Sequence, residues 1–334
     1  MELNHIYTGD ALKVLQELPA ESIDCVVTSP PYYGLRDYGH KNQIGLEESP
    51  EKYIERLVEV FREIYRVLKK EGTVWVNIGD SYAGSNRGWS DNKRNSKKQL
   101  NASYTNIPNA YTGNGIKPKD LIGIPWLLAF SLRDIGFYLR QDIIWHKPNT
   151  MPESVRDRCT KAHEYVFLFS KSAKYYFDHN AILEPAKYDG RKKMTHGGSE
   201  KYLNDATGIT TQNVSKCGRE RWPNKLRGYV SKDGDTGLPA QHHGNNIPTL
   251  PARNKRSVWT VPTKGFKGAH FATFPPALIS TCIEAGCPPC GVVLDPFMGA
   301  GTTAVVAKEL GKNYVGIELN DDYVRLTQER LCGA

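Results

Sequence analysis

Apolar residues in this chain fall into two kinds of stretch. Short unbroken runs, rich in β-branched side chains, alternate with longer segments whose apolar positions recur every three or four residues. The first kind reads as strands buried on both faces, the second as amphipathic helices. A strand is predicted over residues 3–7, turned by Thr8, Gly9 and Asp10 into a helix over 11–18. The next strand covers 23–27. A helix follows over 50–70, with Tyr53, Leu57, Val60, Phe61, Ile64 and Leu68 near helical spacing, and Gly72 stops it before a strand at 73–78. A helix from Pro118 to Ile135 precedes two strands, at 138–145 and 164–169. A helix to Ala285, a strand ending at Asp295, a helical pattern to Leu310 and a strand at 314–318 complete the pattern. This order predicts an α/β fold: a mostly parallel, doubly wound sheet with one antiparallel hairpin strand.

The pattern fails in two places. Residues 84–116 and 184–256 are dominated by Gly, Asn, Ser, Thr, Lys and Arg. The chain therefore divides into a core half at 1–83, a basic loop at 84–116, more core at 117–183, an inserted region at 184–256 and a last core segment at 257–334. The loop is too long for an ordinary connection and is expected to be mobile without a polyanion. Charge follows the same division. Of the net +8, residues 84–116 contribute +4 (five basic, one acidic) and residues 184–256 contribute +7 (fourteen basic, seven acidic), leaving about −3 elsewhere. A basic face on a mildly acidic body suits a polyanion, although lysine-rich loops also serve solubility alone. Arg219, Arg221 and Arg227 are candidates for guanine edges or, more simply, phosphates. No run is as long as a membrane span and no apolar signal segment opens the chain, so a soluble, cytoplasmic protein is expected. Seven scattered cysteines argue against a disulfide framework. Cys282, Cys287 and Cys290 imitate a metal knuckle, but with three thiols and no histidine they read as structural, and no metal site is expected.

Candidate chemistry lies at the ends of two strands. Thr28, Ser29, Pro30, Pro31 and Tyr32 follow the run Ile23, Asp24, Cys25, Val26, Val27. The prolines stiffen the chain as it leaves the sheet and supply no amide hydrogens. The Ser29 hydroxyl, free backbone carbonyls and the Tyr32 ring then converge, a set suited to a flat heterocycle bearing an amine. A plain proline turn is the alternative. The second motif is Asp295, Pro296, Phe297, Met298, Gly299, Ala300, Gly301, Thr302, Thr303 between a strand and a helix. Gly299 and Gly301 permit close ligand approach, while Asp295 would repel a pyrophosphate and suits an ammonium group. Glu318 ends the next strand, where an acid can hold a ribose diol. An amino acid joined to a nucleoside is S-adenosylmethionine.

The motifs DPFMGAGTT and VGIEL, together with TSPPY, resemble the amino-methyltransferases that modify the exocyclic amine of cytosine or adenine in DNA. The target-base motif precedes the cofactor motif, as in the circularly permuted beta class, and the likeness covers nearly the whole chain apart from the two inserts. The resemblance implies a Rossmann-like methyltransferase fold with an inserted target-recognition region. It implies S-adenosylmethionine as cofactor, double-stranded DNA as partner and, since members belong mainly to restriction–modification systems, a cognate restriction endonuclease. Ser29, Pro30, Pro31 and Tyr32 would form the catalytic loop. Asp10, Thr28, Asp295, Pro296, Phe297, Gly299, Gly301, Thr302, Thr303 and Glu318 would line the cofactor, with Thr273 and Phe274 walling its methionine end. Asp10 also reads as a helix N-cap. A Trp-x-Lys-Pro turn (Trp145, His146, Lys147, Pro148) lies near the target pocket in the family, where His146 either helps hold the base or is a surface turn residue. A target base would be flipped out of the duplex and stacked on Tyr32. Its amine hydrogens would go to the Ser29 hydroxyl and the Pro30 carbonyl, with positioning and charge placement carrying the rate. Serine at position 29 favours cytosine-N4, since adenine-N6 enzymes usually carry Asp or Asn there. Adenine-N6 methylation, an inert DNA-binding relative and an RNA or protein methyltransferase are the alternatives.

Overall fold

The structure, a computed structural model, describes residues 1–34, 43–83, 115–185, 252–263 and 274–333. In chain order the elements are β1 (His5–Thr8), α1 (Ala11–Glu17), β2 (Ile23–Thr28), α2 (Pro50–Val67), β3 (Leu68–Ile78), α3 (Ile124–Asp134), β4 (Tyr138–His146) and β5 (His163–Ser170). Then come β6 (Glu184–Pro185), β7 (Ala252–Arg253), β8 (Val258–Thr260), α4 (Pro276–Gly286), β9 (Val292–Asp295), α5 (Thr302–Glu309), β10 (Asn313–Glu318) and α6 (Asp321–Cys332). Two compact units are present, Met1–Ile182 with Lys255–Ala334, and Leu183–Asn254. The described part of the second is the antiparallel pair β6–β7, in which Arg253 donates to Glu184 at 2.9 Å. Most of the expected 84–116 and 184–256 inserts, including Arg219, Arg221 and Arg227, lies outside the described residues, as does Thr273.

In the first unit eight strands form one sheet in the order β1-β10-β9-β2-β3-β5-β4-β8. Only β5 runs against its neighbours, β3 and β4. The sheet is thus mostly parallel with one hairpin strand, as the pattern predicts. Strand β9 comes late in the chain yet lies beside β2, with Cys25 opposite Val293 and Val26 opposite Leu294.

Alternation along the strands sends side chains to two cores. Val26, Val74, Val76, Phe167, Phe169, Leu294 and Val315 pack under α1, α2 and α3. Their neighbours Cys25, Val27, Trp75, Val166, Leu168 and Val293 pack under α4, α5 and α6. Both sheet faces are therefore covered, which is why the strands read as continuous apolar runs. Cys282 and Cys287 are buried in the second core, where burial pushes both thiols well above the usual cysteine range. No helix among the described residues is long and apolar enough to cross a membrane.

Two helix boundaries differ from the pattern. Helix α2 ends at Val67, not Lys70, and the chain is already extended from Leu68. Leu68 is fully buried opposite Ile23, and a Cβ on Gly72 would fall 2.6 Å from its side chain, so this turn belongs to the sheet. Helix α3 starts at Ile124, six residues beyond Pro118. Residues 117–122 instead fold back on 81–83, with Ala83 donating to the Asp120 carbonyl and Ile122 to that of Ser81. The carboxylate of Asp80 caps the helix, accepting from the Gly123 and Ile124 amides at 3.0 Å each.

Candidate active site

The carboxyl ends of β10, β9, β2 and β3 lie side by side, and the candidate residues sit there. Asp295, last in β9, is 1% exposed. Its Oδ1 accepts from the Thr28 hydroxyl at 2.7 Å and the Phe297 amide at 3.1 Å, and its Oδ2 from the Thr303 hydroxyl at 2.6 Å. Burial pushes its carboxyl up to about 6 against those three hydrogen bonds, and the Glu318 charge pushes the same way. Two acids at neighbouring strand ends, one buried and reluctant to ionise, leave the site short of positive charge.

The glycine loop after β9 fits its conformations closely. Gly301 has φ 75° and a Cβ there would fall 2.1 Å from Thr327 Cγ2, so position 301 has neither the backbone nor the space for a side chain. Gly299 is also left-handed, at φ 53°, and its amide donates to Glu318 Oε2 at 2.7 Å. The other oxygen of Glu318 accepts from the Asn320 amide at 2.9 Å. Arg330 and Thr327 hold the carbonyls of Ala300 and Gly299. Asp10 caps α1, accepting from the Lys13 amide at 3.2 Å, and the Gly9 amide donates to the Glu318 carbonyl at 2.9 Å. Asp295 and Glu318 end two neighbouring strands of one rim, and Asp10 follows the end of β1 by two residues. Phe274 lies before α4 beside Val27, Thr28 and Asn77, lining a small cavity beneath the rim.

On the β2–β3 side, Tyr53 donates to the Pro31 carbonyl at 2.8 Å and Ser81 to that of Tyr33 at 3.3 Å. No donor among the described residues meets the Pro30 carbonyl. Ser29 donates to Asn77 Oδ1 at 3.5 Å and also contacts the Tyr32 hydroxyl, and its oxygen has two lone pairs with which to accept. Tyr32 donates to Glu164 Oε2 at 2.8 Å, and its ring edge passes so near Gly79 that a Cβ there would lie 2.8 Å away. Glu164 is ion-paired to Lys147, which also lies 4.2 Å from the Trp145 ring centroid. His146 faces Thr260 at 3.2 Å.

Asn77 and Glu164 thus join the loop at Ser29 and the turn carrying Lys147, which the resemblance already sets near the target pocket. Asn77 lies inside an apolar strand and Glu164 opens one, so no local motif marked them.

A family model described as N6_N4_Mtase, DNA methylase, matches residues 23–329. The chain belongs to this family of DNA amino-methyltransferases. It is 44% identical over 329 residues to the Type II methyltransferase M.XycI of Xanthomonas campestris pv. cyanopsidis, covering 98% of this chain and 87% of that one. It is likewise similar in fold to the PvuII DNA methyltransferase, described as cytosine-N4-specific, at TM-score 0.58 and 18% identity over 98% and 85% of the two chains. The M1.HpyAVI–SAM complex matches at TM-score 0.52 and 16% identity over 98% of each chain. For a DNA amino-methyltransferase the two halves of this rim divide naturally, one acidic and glycine-rich, the other aromatic and rich in acceptors.

Proposed function

We propose that this chain is a site-specific methyltransferase acting on the N4 amine of a cytosine flipped out of duplex DNA. The methyl donor is S-adenosylmethionine, and the chemistry of the rim fits it. A buried carboxyl held near 6 accepts a cationic neighbour readily, and Glu318 stands one strand away for a diol. Bound there, S-adenosylmethionine supplies a methyl group on a positively charged sulfur. The chain's own part is to hold the loop after β9 with Asp295, to wall the cofactor with Phe274 and Thr273, and to bind the adenosine end through Asp10 and Glu318.

The observation that carries the choice of base is the neutral acceptor at position 29. Ser29 gives its hydrogen to Asn77 and so offers lone pairs, beside the free Pro30 carbonyl, to the two hydrogens of an exocyclic amine. Accepting both hydrogens favours a pyramidal nitrogen whose lone pair points away from the ring. Tyr32 stacks on the flipped base and replaces part of the stacking lost, on the order of 1–3 kcal/mol. Members of restriction–modification systems share these motifs, so a cognate endonuclease is the natural partner, and residues 84–116 and 184–256 are the DNA-facing segments. The test is the product. Nucleosides from DNA methylated by the purified protein should contain N4-methylcytosine on mass spectrometry. N6-methyladenine alone would overturn the choice of base and leave the family intact.

A further inference from the structure

Beneath Ser29 and Tyr32, three polar side chains, Asn77, Glu164 and Lys147, form a chain of contacts that the transfer reaction itself does not require. Asn77 is 5% exposed, and both ends of its amide are engaged. Its Nδ2 donates to the Tyr165 carbonyl at 3.1 Å and to Glu164 Oε2 at 3.3 Å. Its Oδ1 receives the Ser29 hydroxyl at 3.5 Å and lies 3.3 Å from the Tyr32 hydroxyl, whose one hydrogen goes to Glu164. The opposite orientation would set the amide oxygen against a carbonyl and a carboxylate, so these partners allow one orientation only. Glu164 Oε2 accepts from both Asn77 and Tyr32, and its other oxygen is paired with Lys147. The Glu164 and Lys147 side chains are only 17% and 16% exposed, so the pair is shielded from water and its direction is kept. Burial, and then the Glu164 charge, push the Tyr32 hydroxyl well above the usual tyrosine range and keep it a donor.

We propose that Glu164 is a positioning residue that, anchored by Lys147, sets the Asn77 oxygen toward Ser29 and fixes the Tyr32 ring. The pocket then presents acceptors only, a face that an amine satisfies and a carbonyl does not. Read this way, the ion pair selects the amino edge of a base over a keto edge. The inference rests on the amino-methyltransferase reading of the same pocket and goes beyond it by assigning the selection to residues outside the SPPY loop. With Glu164 neutral or shortened, Asn77 is free to turn its NH2 toward the pocket, and a donor then faces a donor.

The test uses the full chain, unmethylated genomic DNA and S-adenosylmethionine. Glu164→Gln and Glu164→Asp should each lower kcat tenfold or more while the Kd for S-adenosylmethionine stays within twofold. If Glu164 acts through Asn77, its loss and that of Asn77→Ala should not multiply, and the double variant should be no more than about threefold slower than the slower single one. Variants that keep kcat within twofold, losses that multiply, or cofactor affinity falling in step with kcat would each overturn the assignment. Should neither variant fold, the side-chain amide of Asn77 in the wild-type protein decides by NMR. Slow hydrogen exchange supports the double anchor and fast exchange overturns it. A wild type that methylates no DNA amine would sink the function, whereas an active wild type matched by both variants would sink the role of Glu164 alone.

Discussion

Thr28 ends β2 and Asp295 ends β9, and the hydroxyl of the first donates to the carboxylate of the second at 2.7 Å across 267 positions of chain. This bond ties the strand that carries the target loop to the strand that carries the cofactor loop. Thr28 is fully buried, so Thr28→Val keeps the shape and removes one of three donors to a buried acid. Stability should fall by about 1–3 kcal/mol in urea denaturation, and cofactor affinity should fall with it. A variant as stable as the wild type would show that the two strand ends are held by packing alone.

Asp295 gives a pH dependence whose sign can be worked out. Its carboxyl is raised to about 6 in the folded chain, against roughly 3.9 when unfolded. The folded state therefore holds the proton more tightly. The stability this group contributes is full below about pH 4 and is lost as pH rises through about 6, roughly 3 kcal/mol at full effect. Stability of the wild type relative to Asp295→Asn should decline over that range. If the cofactor ammonium meets this acid, binding must drive its proton off. Affinity for S-adenosylmethionine should then rise with pH between 5 and 7, with proton release visible by calorimetry in buffers of different ionisation enthalpy. Affinity flat over that range would detach Asp295 from the ammonium.

Two glycines separate the halves of the site. Gly301→Ala places a Cβ 2.1 Å from Thr327 at a left-handed position and should destabilise the chain by about 2 kcal/mol or more while weakening cofactor binding. Gly79→Ala places its Cβ 2.8 Å from the Tyr32 ring. It should slow turnover tenfold or more and leave the cofactor Kd within twofold. Loss of cofactor affinity in Gly79→Ala would show that the two halves do not act separately.

How much of this was legible in the sequence depends on where each cause lies. Asp295, Gly299, Gly301 and Thr303 act on each other within nine residues, and their spacing already showed a strand, a tight loop and a helix. Burial on both faces made β2, β3, β5 and β9 readable as apolar runs. The start of α3 was misread because its cap, Asp80, lies 43 residues from Gly123. Asn77 and Glu164 are 87 residues apart and meet only because β3 and β5 pair antiparallel, with Asn77 opposite Val166. No local pattern marks such a contact. Asp295 was expected to face an ammonium. Its three protein donors show that it pins its own loop, a role set by Thr28 from a distant strand.

If the basic segments at 84–116 and 184–256 carry phosphate contacts, DNA affinity should fall steeply with salt, with a log–log slope of about 0.9 per contact. Deleting residues 86–114 should flatten that slope and leave cofactor binding intact. Salt-independent affinity would remove these segments from the DNA interface.

The sharpest test falls on Tyr32 and Ser29. If Tyr32 only stacked, Tyr32→Phe would keep most of the activity. Its hydroxyl, however, donates its one hydrogen to Glu164 at 2.8 Å, so the phenyl ring loses its anchor. Tyr32→Phe should therefore reduce turnover several-fold, and Tyr32→Ala, which also removes the stacking surface, a hundredfold or more. Ser29→Ala removes an acceptor for the amine and a donor to Asn77, and kcat should drop tenfold or more with S-adenosylmethionine affinity within twofold. Ser29→Asp puts a stronger acceptor at the position where adenine enzymes carry an acid. It should retain some transfer, and nucleoside analysis shows to which base. Full activity in Ser29→Ala would mean that the amine is held by the Pro30 carbonyl and Asn77 without it, and the preference for cytosine would then need a cause elsewhere in the pocket.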